Sequence, residues 1–425
     1  MPLDVAASFP ADGVPSPAAP ELLALRSAAA VRERCADVYR FVADGQSPHF
    51  ALDSRRIDPI ADYVATVTRE NYPDLRIPFH SRWRHFAAGG RDRWASLAGR
   101  LAAATALERA RTAIDLATIS VLLDAGAGAL WRYREPAAGQ MYARSEGLAV
   151  ASFDMFSAGL FSSDPAWPLQ ADAAALQKLE EANLARGFQV ADNNPLVGLA
   201  RRVSLLNRLG HALEARPDLF GARPARPGHL LTHFMQVVPD RRIAAAQILA
   251  TLLDGLSSIW PSGLVVDGIA LGDVGRHPAI RSGDRSDGLV PFHKLSQWLA
   301  YSLIEPVETG GLVVTALDGL TGLPEYRNGG LFIDLGAIRP RAPLGAGASH
   351  TVASELVVEW RALTVALMDR LLGPVREKLG VDAATFPLAR MLQGGTWTAG
   401  RKIAHALRPP DGPPPVALVA DGTVF

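Results

Sequence analysis

The stretch from Gly288 to Phe332 reads GLVPFHKLSQWLAYSLIEPVETGGLVVTALDGLTGLPEYRNGGLF. If a helix runs from about Phe292 to Glu305, its polar residues recur every four positions and form one stripe. The stripe consists of His293, Gln297, Tyr301 and Glu305. Since the rest of that helix is largely apolar, the pattern predicts a buried helix whose polar stripe needs hydrogen-bond partners or a ligand.

The segment behind this helix is rich in turn residues and charges. Pro306 is expected to end the helix, and Asp318, Glu325, Tyr326 and Arg327 follow it. Two interpretations remain open for these residues: a satisfied structural network with polar groups at helix ends, or a functional site. The concentration of polar groups favours a site.

Apolar residues recur with the helical period of 3.6 along most of the chain. The predicted helices are Glu21–Asp44, Ile60–Glu70, Leu97–Ala125, Ala171–Arg186, Pro195–Glu214, Arg241–Ser257, Phe292–Glu305 and Ser354–Leu379, the last interrupted at Pro374. Strand signals are confined to SGLVVDGIALGDV and GGLFIDLGAI, each with turn glycines. The sequence therefore predicts a mainly α fold with a small β element.

Both ends of the chain are rich in proline, whereas no shift of composition between them marks a boundary. We predict a flexible segment over residues 1–20, a single large helical domain over 21–407, and an extended Pro-rich tail over 408–425.

The composition narrows the class of partner. Among 425 residues, 48% are hydrophobic, and 43 basic residues balance 43 acidic ones, so nucleic acid and anionic membranes are not favoured. Cys35 is the only cysteine, which excludes intrachain disulfides and fits a reducing compartment. The amino terminus does not resemble a secretory signal, and no apolar run approaches the ~18 residues of a membrane helix. We expect a cytoplasmic protein with a small-molecule partner.

The sequence matches none of the standard cofactor-binding motifs considered below. The sequence has no G-x-x-x-x-G-K-[ST] loop, and its G-x-G fragments lack a strand-to-helix context, so ATP and dinucleotide chemistry are disfavoured. His229 and His233 have the spacing of two metal ligands on one helical turn, but no glutamate lies between them. We predict that the protein uses neither a metal nor an organic cofactor.

Two further segments contain candidate binding groups. NYPDLRIPFHSRWRHF contains four potential cations, which form either a phosphate clamp or a solvated turn: His80, Arg82, Arg84 and His85. Glu146 and Asp154 lie eight residues apart in RSEGLAVASFDMF, which places them within roughly 80° of each other on a helix. These two acids are either functional or exposed at turns.

Together these motifs resemble one family, the fungal and bacterial uracil-catabolism proteins that are the fourth member of that pathway. The resemblance covers nearly the whole chain after about Val31. The segments that carry it are NYPDLRIPFHSRWRHF, DLATISVLLDAGAG, RSEGLAVASFDMF, FSSDP, IWPSGL, GLVPFHKLSQWLAYSLIEP, GLTGLPEYRNGGLF, SELVVEWRALTVAL, LQGGTWTAGR and DGTVF. The resemblance implies a pathway in which a ribosyl-urea species derived from a uracil nucleotide must release urea.

Release of urea requires cleavage of the N-glycosidic bond of the ribosyl-urea species, and a more distant resemblance also points to this bond. The order of SSDPAWPLQADAAALQKL, NPLVGLARRVSLLNRLG, FHKLSQ and LPEYRNGG is similar to that of segments in the queuosine salvage nucleosidases, which are helical proteins related to DNA glycosylases. This similarity implies a DNA-glycosylase-like helical architecture. It also places Glu325 at that family's acidic residue and Lys294 at its lysine, whereas Ser302 stands near another of its aspartates.

These resemblances imply an N-glycosidase that cleaves a compound such as ribosyl-urea 5′-phosphate. Such a reaction passes through a sugar cation, which nearby negative charge stabilises. The candidate carboxylates are Glu325, Asp318 and Asp154. The candidate substrate-binding residues are His80, Arg82, Arg84, Glu146, His293, Lys294, Gln297, Tyr301, Tyr326 and Arg327. The alternatives are a non-catalytic nucleotide sensor or scaffold of the pathway, and a ureide or amide hydrolase. The sequence does not determine the oligomeric state.

Overall fold

The computed structural model describes residues 19–260, 263–344 and 349–419. Its helices are α1 Pro20–Ala24, α2 Ala28–Ala43, α3 Ile57–Asn71, α4 Arg82–Phe86, α5 Arg93–Arg100, α6 Ala106–Leu122, α7 Arg144–Ser157, α8 Ala173–Gln177, α9 Glu181–Gly187, α10 Leu199–Ala215, α11 Pro217–Phe220, α12 Leu230–Val237, α13 Ala245–Leu256, α14 Lys294–Thr309, α15 Tyr326–Asp334, α16 Glu355–Leu379, α17 Leu388–Met391 and α18 Trp397–Leu407. A π-helical turn, Leu392–Thr396, joins α17 to α18.

The strands are short and pair only two at a time within the described residues. They are β1 Phe50–Leu52, β2 Tyr133–Arg134, β3 Met141–Tyr142, β4 Arg242–Ala244, β5 Leu264–Val266, β6 Ile269–Gly272, β7 Val274–Arg276, β8 Leu289–Pro291, β9 Val313–Thr315 and β10 Ile338–Pro340. The pairs β1–β10, β2–β3, β5–β6 and β7–β8 are antiparallel, whereas β4–β9 is parallel. The prediction of a mainly α fold with a small β element is therefore confirmed.

Helix α14 lies at the centre of the core. It packs against α6 and α13, and 12 of its 16 residues are buried. Around it, α16 packs on α2 and α3, α10 packs on α8, and α15 packs on α18. The largest buried cluster of apolar side chains draws on most of these helices, and a second, smaller cluster lies between α2, β8 and α16.

The prediction that Pro306 ends the central helix is wrong. Helix α14 continues to Thr309 with Pro306 inside it. A proline has no N–H, so the carbonyl of Ser302, four residues earlier, loses its helical partner. The indole Nε1 of Trp83 donates a hydrogen bond of 2.8 Å to this carbonyl instead. A tertiary contact thus satisfies the group that the proline leaves free.

Several other predicted boundaries also moved. Side-chain hydrogen bonds at new helix starts divide three predicted helices. Ser27 caps α2 and Thr105 caps α6, and at α9 the Asn183 side chain accepts a hydrogen bond from the backbone N–H of Glu180. The start of the predicted Arg241–Ser257 helix forms β4 instead, and α16 runs without interruption through Pro374.

The two predicted β segments have different outcomes. SGLVVDGIALGDV forms the β5–β6 hairpin in its described part, as predicted. GGLFIDLGAI instead falls mainly in α15, and only its end reaches β10. The side chain of Glu325 explains the helix, because it accepts hydrogen bonds from the backbone N–H groups of Arg327 and Asn328 and caps α15.

The described part of the Pro-rich tail folds back on the protein rather than extending away. Arg408 pairs with Asp334 at 2.6 Å, and the carbonyl of Gly412 accepts a hydrogen bond of 2.8 Å from Arg327 Nη1. Val416 is buried. Most of the predicted N-terminal segment, residues 1–18, lies outside the described residues.

The close packing of α15 on α18 gives a test of the fold. A Cβ atom added at Gly400 would lie 2.1 Å from the carbonyl oxygen of Arg327. We expect Gly400→Ala to lower the free energy of unfolding by about 1–3 kcal/mol or more, because the two helices must separate. Urea denaturation measures this change.

The matched control is Gly99→Ala in α5, where nothing lies within 4 Å of the new Cβ atom. This change is expected to be neutral or to stabilise the helix by up to ~1 kcal/mol. Equal effects of the two substitutions would contradict the described packing of α15 on α18.

Candidate functional site

A pocket of about 550 Å³ opens between α4, the start of α7 and the start of α18. Its lining is basic and aromatic, with a single carboxylate among the described residues. The lining residues are His80, Arg84, His85, Ala88, Gly89, Met141, Tyr142, Ala143, Arg144, Glu146, Gln393, Trp397 and Arg401. The volume suits a drug-sized or nucleotide-sized molecule. Four residues considered in the sequence analysis meet here: His80, Arg84, His85 and Glu146.

Arg82, also predicted from the sequence, lies directly behind the pocket and is fully buried. Its Nη1 donates to His85 Nδ1 at 3.0 Å and lies 2.9 Å from Asp124 Oδ2. Its Nε donates to Ser120 Oγ at 2.8 Å, and Nη1 also reaches the carbonyl of Ser145. The guanidinium thus ties α4 to α6 and α7, and it contacts the pocket lining through His85.

Two histidines form the inner part of the pocket. His80 is 93% buried and packs on the ring of Trp298, with 4.5 Å between ring centroids. Burial lowers the pKa of His80 to about 4, despite the hydrogen bond to Gln393. Burial, together with the Arg82 charge, also lowers the pKa of His85 well below its ordinary value. Both rings are therefore neutral near pH 7.

One wall of the pocket is held by a buried ion pair. Arg93 contacts Glu135 through two hydrogen bonds of 2.9 Å, and its Nη2 donates to the hydroxyl of Tyr142 at 3.0 Å. Gly89 approaches the same hydroxyl so closely that an added Cβ atom would lie 2.4 Å from it. The hydrogen bond from Arg93 and the close approach of Gly89 therefore fix the position of the Tyr142 side chain.

The rim of the pocket carries three arginines with different partners. Arg84 binds both oxygens of Glu305, at 2.8 and 2.7 Å, whereas Arg401 lies 3.7 Å from Glu146. Arg144 makes no ion pair or side-chain hydrogen bond among the described residues, and its φ of 53° is uncommon for a residue with a side chain. It is also the first residue of α7, whose N-terminus has no side-chain cap. The rim is suited to an anion.

The polar stripe predicted on the central helix lies away from this pocket, apart from Glu305. Gln297 donates to Thr321 Oγ1 and accepts from the Thr321 backbone, and Tyr301 donates to the Thr321 carbonyl at 3.0 Å. His293 precedes α14, and its Nε2 lies 2.8 Å from the carbonyl of Leu25. These three side chains therefore join α14 to neighbouring segments.

Lys294 lies at the first turn of α14 in a cluster of charges. Burial, followed by the charge of Arg361, lowers the pKa of Lys294 to about 8. Three nearby carboxylates partly offset this shift, since their charges raise the pKa of Lys294: Asp273, Glu325 and Asp124. Lys294 is not among the residues that line the pocket.

Glu325 serves as the N-cap of α15. Its two carboxylate oxygens accept backbone hydrogen bonds of 2.7 and 2.6 Å. Burial raises the pKa of Glu325, although these bonds and the charges of Lys294 and Arg327 oppose that shift. Arg327 donates to the carbonyl of Gly412 and lies over the ring of Tyr326, at 4.8 Å.

The two other predicted acids also have structural partners. Asp318 pairs with Arg376 at 2.6 Å and accepts a hydrogen bond from the backbone of Leu388. Asp154 accepts a hydrogen bond of 2.7 Å from the hydroxyl of Tyr133, and burial raises the pKa of Asp154. Both acids lie outside the pocket lining.

Within the described residues, no group of three or more histidine, cysteine, aspartate or glutamate side chains has an arrangement that suits a metal ion. His229 Nδ1 lies 2.8 Å from the carbonyl oxygen of Phe220. In the same part of the chain, no helix is both long and apolar enough to cross a bilayer.

The sequence analysis missed several lining residues. Arg144 begins the segment RSEGLAVASFDMF, and Gln393, Trp397 and Arg401 come from LQGGTWTAGR. The first segment had been considered for its acids Glu146 and Asp154, and the second only for its family resemblance. The spacing of Trp397 and Arg401, one helical turn apart, was an available signal, but nothing in the sequence places that turn opposite α7.

The neutral state of His80 predicts a pH effect on stability. Because the pKa of His80 is lower in the folded protein than in the unfolded chain, the unfolded chain binds a proton first on acidification. The contribution of neutral His80 to the free energy of unfolding is therefore complete above about pH 6.5, and it declines as the pH falls toward about 4. We expect His80→Gln to reduce the stability lost between pH 7 and pH 5 by about 2 kcal/mol, measured by urea denaturation.

The control for this measurement is His211→Gln, which changes an exposed histidine on α10. It should leave the pH dependence unchanged. A folded His80→Gln protein with the same pH dependence as the wild type would show that His80 does not remain neutral on folding.

Comparison with known proteins agrees with the sequence resemblance. A family profile described as Protein of unknown function (DUF1688) matches residues 24–425. The chain is 38% identical over 433 residues to Uracil catabolism protein 4 of Lachancea kluyveri, covering 94% of this chain and 98% of that protein. It is also 38% identical over 391 residues to Protein urg3 of Schizosaccharomyces pombe, covering 90% and 94% of the two chains. With matches of this extent, the chain belongs to the DUF1688 family.

Proposed function

We propose that the protein acts in uracil catabolism and hydrolyses the N-glycosidic bond of a phosphorylated, ring-opened uracil derivative such as ribosyl-urea 5′-phosphate. The name of one relative, Uracil catabolism protein 4, supports the pathway. The observation that carries the reaction is the pocket, in which a basic rim and one carboxylate, Glu146, lie beside two neutral histidines.

The proposed phosphate site is the rim at Arg144. The uncapped start of α7 presents backbone N–H groups, and the helix dipole adds partial positive charge. Arg144 supplies a full charge without an ion-pair partner among the described residues. The backbone strain at Arg144 is consistent with a functional position, because such conformations persist where the surroundings demand them. Arg84 and Arg401 add positive potential nearby.

The proposed carboxylate is Glu146, two residues after Arg144 on the first turn of α7. In this reaction the bond between C1 of the sugar and the nitrogen breaks, water adds its oxygen to C1, and the leaving urea takes up a proton. Charge develops on the sugar as the bond breaks, and a carboxylate stabilises that charge. The Arg401 guanidinium, 3.7 Å from Glu146, keeps the carboxylate at the pocket wall.

Glu325 is the competing candidate. In its favour is the neighbourhood of Lys294, whose charge acts on the Glu325 carboxylate. Against it is the cap that both of its oxygens make with the backbone of α15. A carboxylate held by two backbone N–H groups is already stabilised and is less able to turn toward a substrate.

The first test measures urea and ribose 5-phosphate released from ribosyl-urea 5′-phosphate. We expect Glu146→Gln to lower kcat by ~100-fold or more, because the amide keeps the shape but removes the charge. Glu325→Gln is the comparison: it should mainly lower the melting temperature, since it weakens a helix cap. A large loss of kcat only in Glu325→Gln would transfer the catalytic role to Glu325. Tight binding without turnover by the wild type would contradict hydrolysis and indicate a sensor.

The second test concerns the phosphate. Arg144→Ala should raise KM for the phosphorylated substrate by ~10-fold or more and change KM for the dephosphorylated compound little, since it removes one charge-assisted contact. Arg186→Ala, at an exposed position of α9, is the matched control. Equal effects of Arg144→Ala on both substrates would show that this residue does not bind phosphate.

A further inference from the structure

The hydrogen-bonding state of His80 follows from its neighbour. Its Nδ1 lies 2.9 Å from Gln393 Oε1, and an amide oxygen only accepts hydrogen bonds. Gln393 is oriented by its own Nε2, which donates to the Tyr72 hydroxyl at 3.3 Å. The proton of neutral His80 is therefore on Nδ1, and Nε2 is an acceptor. Among the described residues, this Nε2 has no hydrogen-bond partner.

His85 has the opposite arrangement. Its Nδ1 receives a hydrogen bond of 3.0 Å from Arg82 Nη1, and a guanidinium only donates. The proton of neutral His85 is therefore on Nε2, which is a donor. This atom, too, has no hydrogen-bond partner in the described part of the chain. The pocket thus contains one unused acceptor and one unused donor, on two rings that both lie against Trp298.

We propose that His80 and His85 form an acceptor–donor pair that recognises a neutral, planar amide, imide or ureido group. The ligand N–H would donate to His80 Nε2, and its carbonyl would accept from His85 Nε2. This inference rests on the proposed function for the location of the site. It extends that function by naming the chemical class of the group that the two histidines bind.

The surroundings of the pair suit an uncharged, flat group. Trp298 packs behind both rings, with centroids 4.5 Å from His80 and 5.9 Å from His85, and Trp397 lies 6.5 Å from His85. The positive charges of Arg82 and Arg84 disfavour a cation here, and the lowered pKa values keep the histidines from offering charge to an anion. A ureido group presents an adjacent N–H and C=O without net charge, as does the imide of uracil.

The test compares uridine 5′-monophosphate with cytidine 5′-monophosphate by calorimetry on the wild-type protein. Uracil presents N–H at position 3 and C=O at position 4, whereas cytosine presents an acceptor and a donor at these positions. With the phosphate held at one end, the register of the base is fixed, so only uracil matches the pair. We expect uridine 5′-monophosphate to bind about 10-fold or more tightly, since a mismatch leaves buried polar groups unpaired.

Two substitutions assign this preference to the histidines. His85→Phe and His80→Phe keep a flat ring against Trp298 but remove the donor or the acceptor, so each should abolish most of the preference. His211→Phe, on the exposed face of α10, should retain it. Melting curves identify any variant that fails to fold. The comparison of the two nucleotides on the wild-type protein does not depend on the variants.

Equal binding of the two nucleotides, no binding of either, or a preference that survives in both folded variants would overturn the inference. These outcomes are separate from the proposed hydrolysis, because the release of urea from ribosyl-urea 5′-phosphate is measured independently. Absence of urea release with a clear preference for uridine 5′-monophosphate would overturn the hydrolase and leave the recognition pair in place.

Discussion

The buried guanidinium of Arg82 is the interaction on which the candidate site depends. A fully buried charge is tolerated only when it is paired and hydrogen-bonded, and Arg82 meets this condition through Asp124, Ser120, His85 and the carbonyl of Ser145. These partners belong to three different parts of the chain. Satisfying one charge therefore brings α4, the end of α6 and the start of α7 together, and the pocket lies at this junction.

The same contact also determines chemistry. Because a guanidinium cannot accept a hydrogen bond, Arg82 fixes which nitrogen of His85 carries the proton. Its charge further disfavours protonation of that ring and so helps to lower the pKa of His85. A residue that does not line the pocket thus controls the hydrogen bond that the pocket can offer.

The central helix shows how one periodic pattern can serve two purposes. Along one side of α14, Gln297 and Tyr301 are satisfied by Thr321, so this stripe fastens a loop to the helix. Along another side, Trp298 packs behind the two histidines and Ser302 accepts a hydrogen bond from the backbone of Arg82. The polar stripe stabilises the fold, while the neighbouring stripe, marked mainly by an apolar tryptophan, supports the pocket.

The sequence by itself determined the fold class, because helical periodicity is local and survives in the finished structure as α6, α10, α14 and α16. It also brought His80, Arg84 and Glu146 into consideration, since concentrated polar groups near aromatics are visible without coordinates. The prediction that Pro306 ends the helix was wrong, because the indole that bonds the free carbonyl belongs to Trp83, more than 200 residues away. Only the tertiary structure separated Glu325 from Glu146: both are acids beside arginines in the sequence, but backbone N–H groups occupy the first, whereas the second faces a pocket. The partners of a buried polar group are set by contacts between distant segments, and these contacts decide whether it stabilises a helix or binds a ligand.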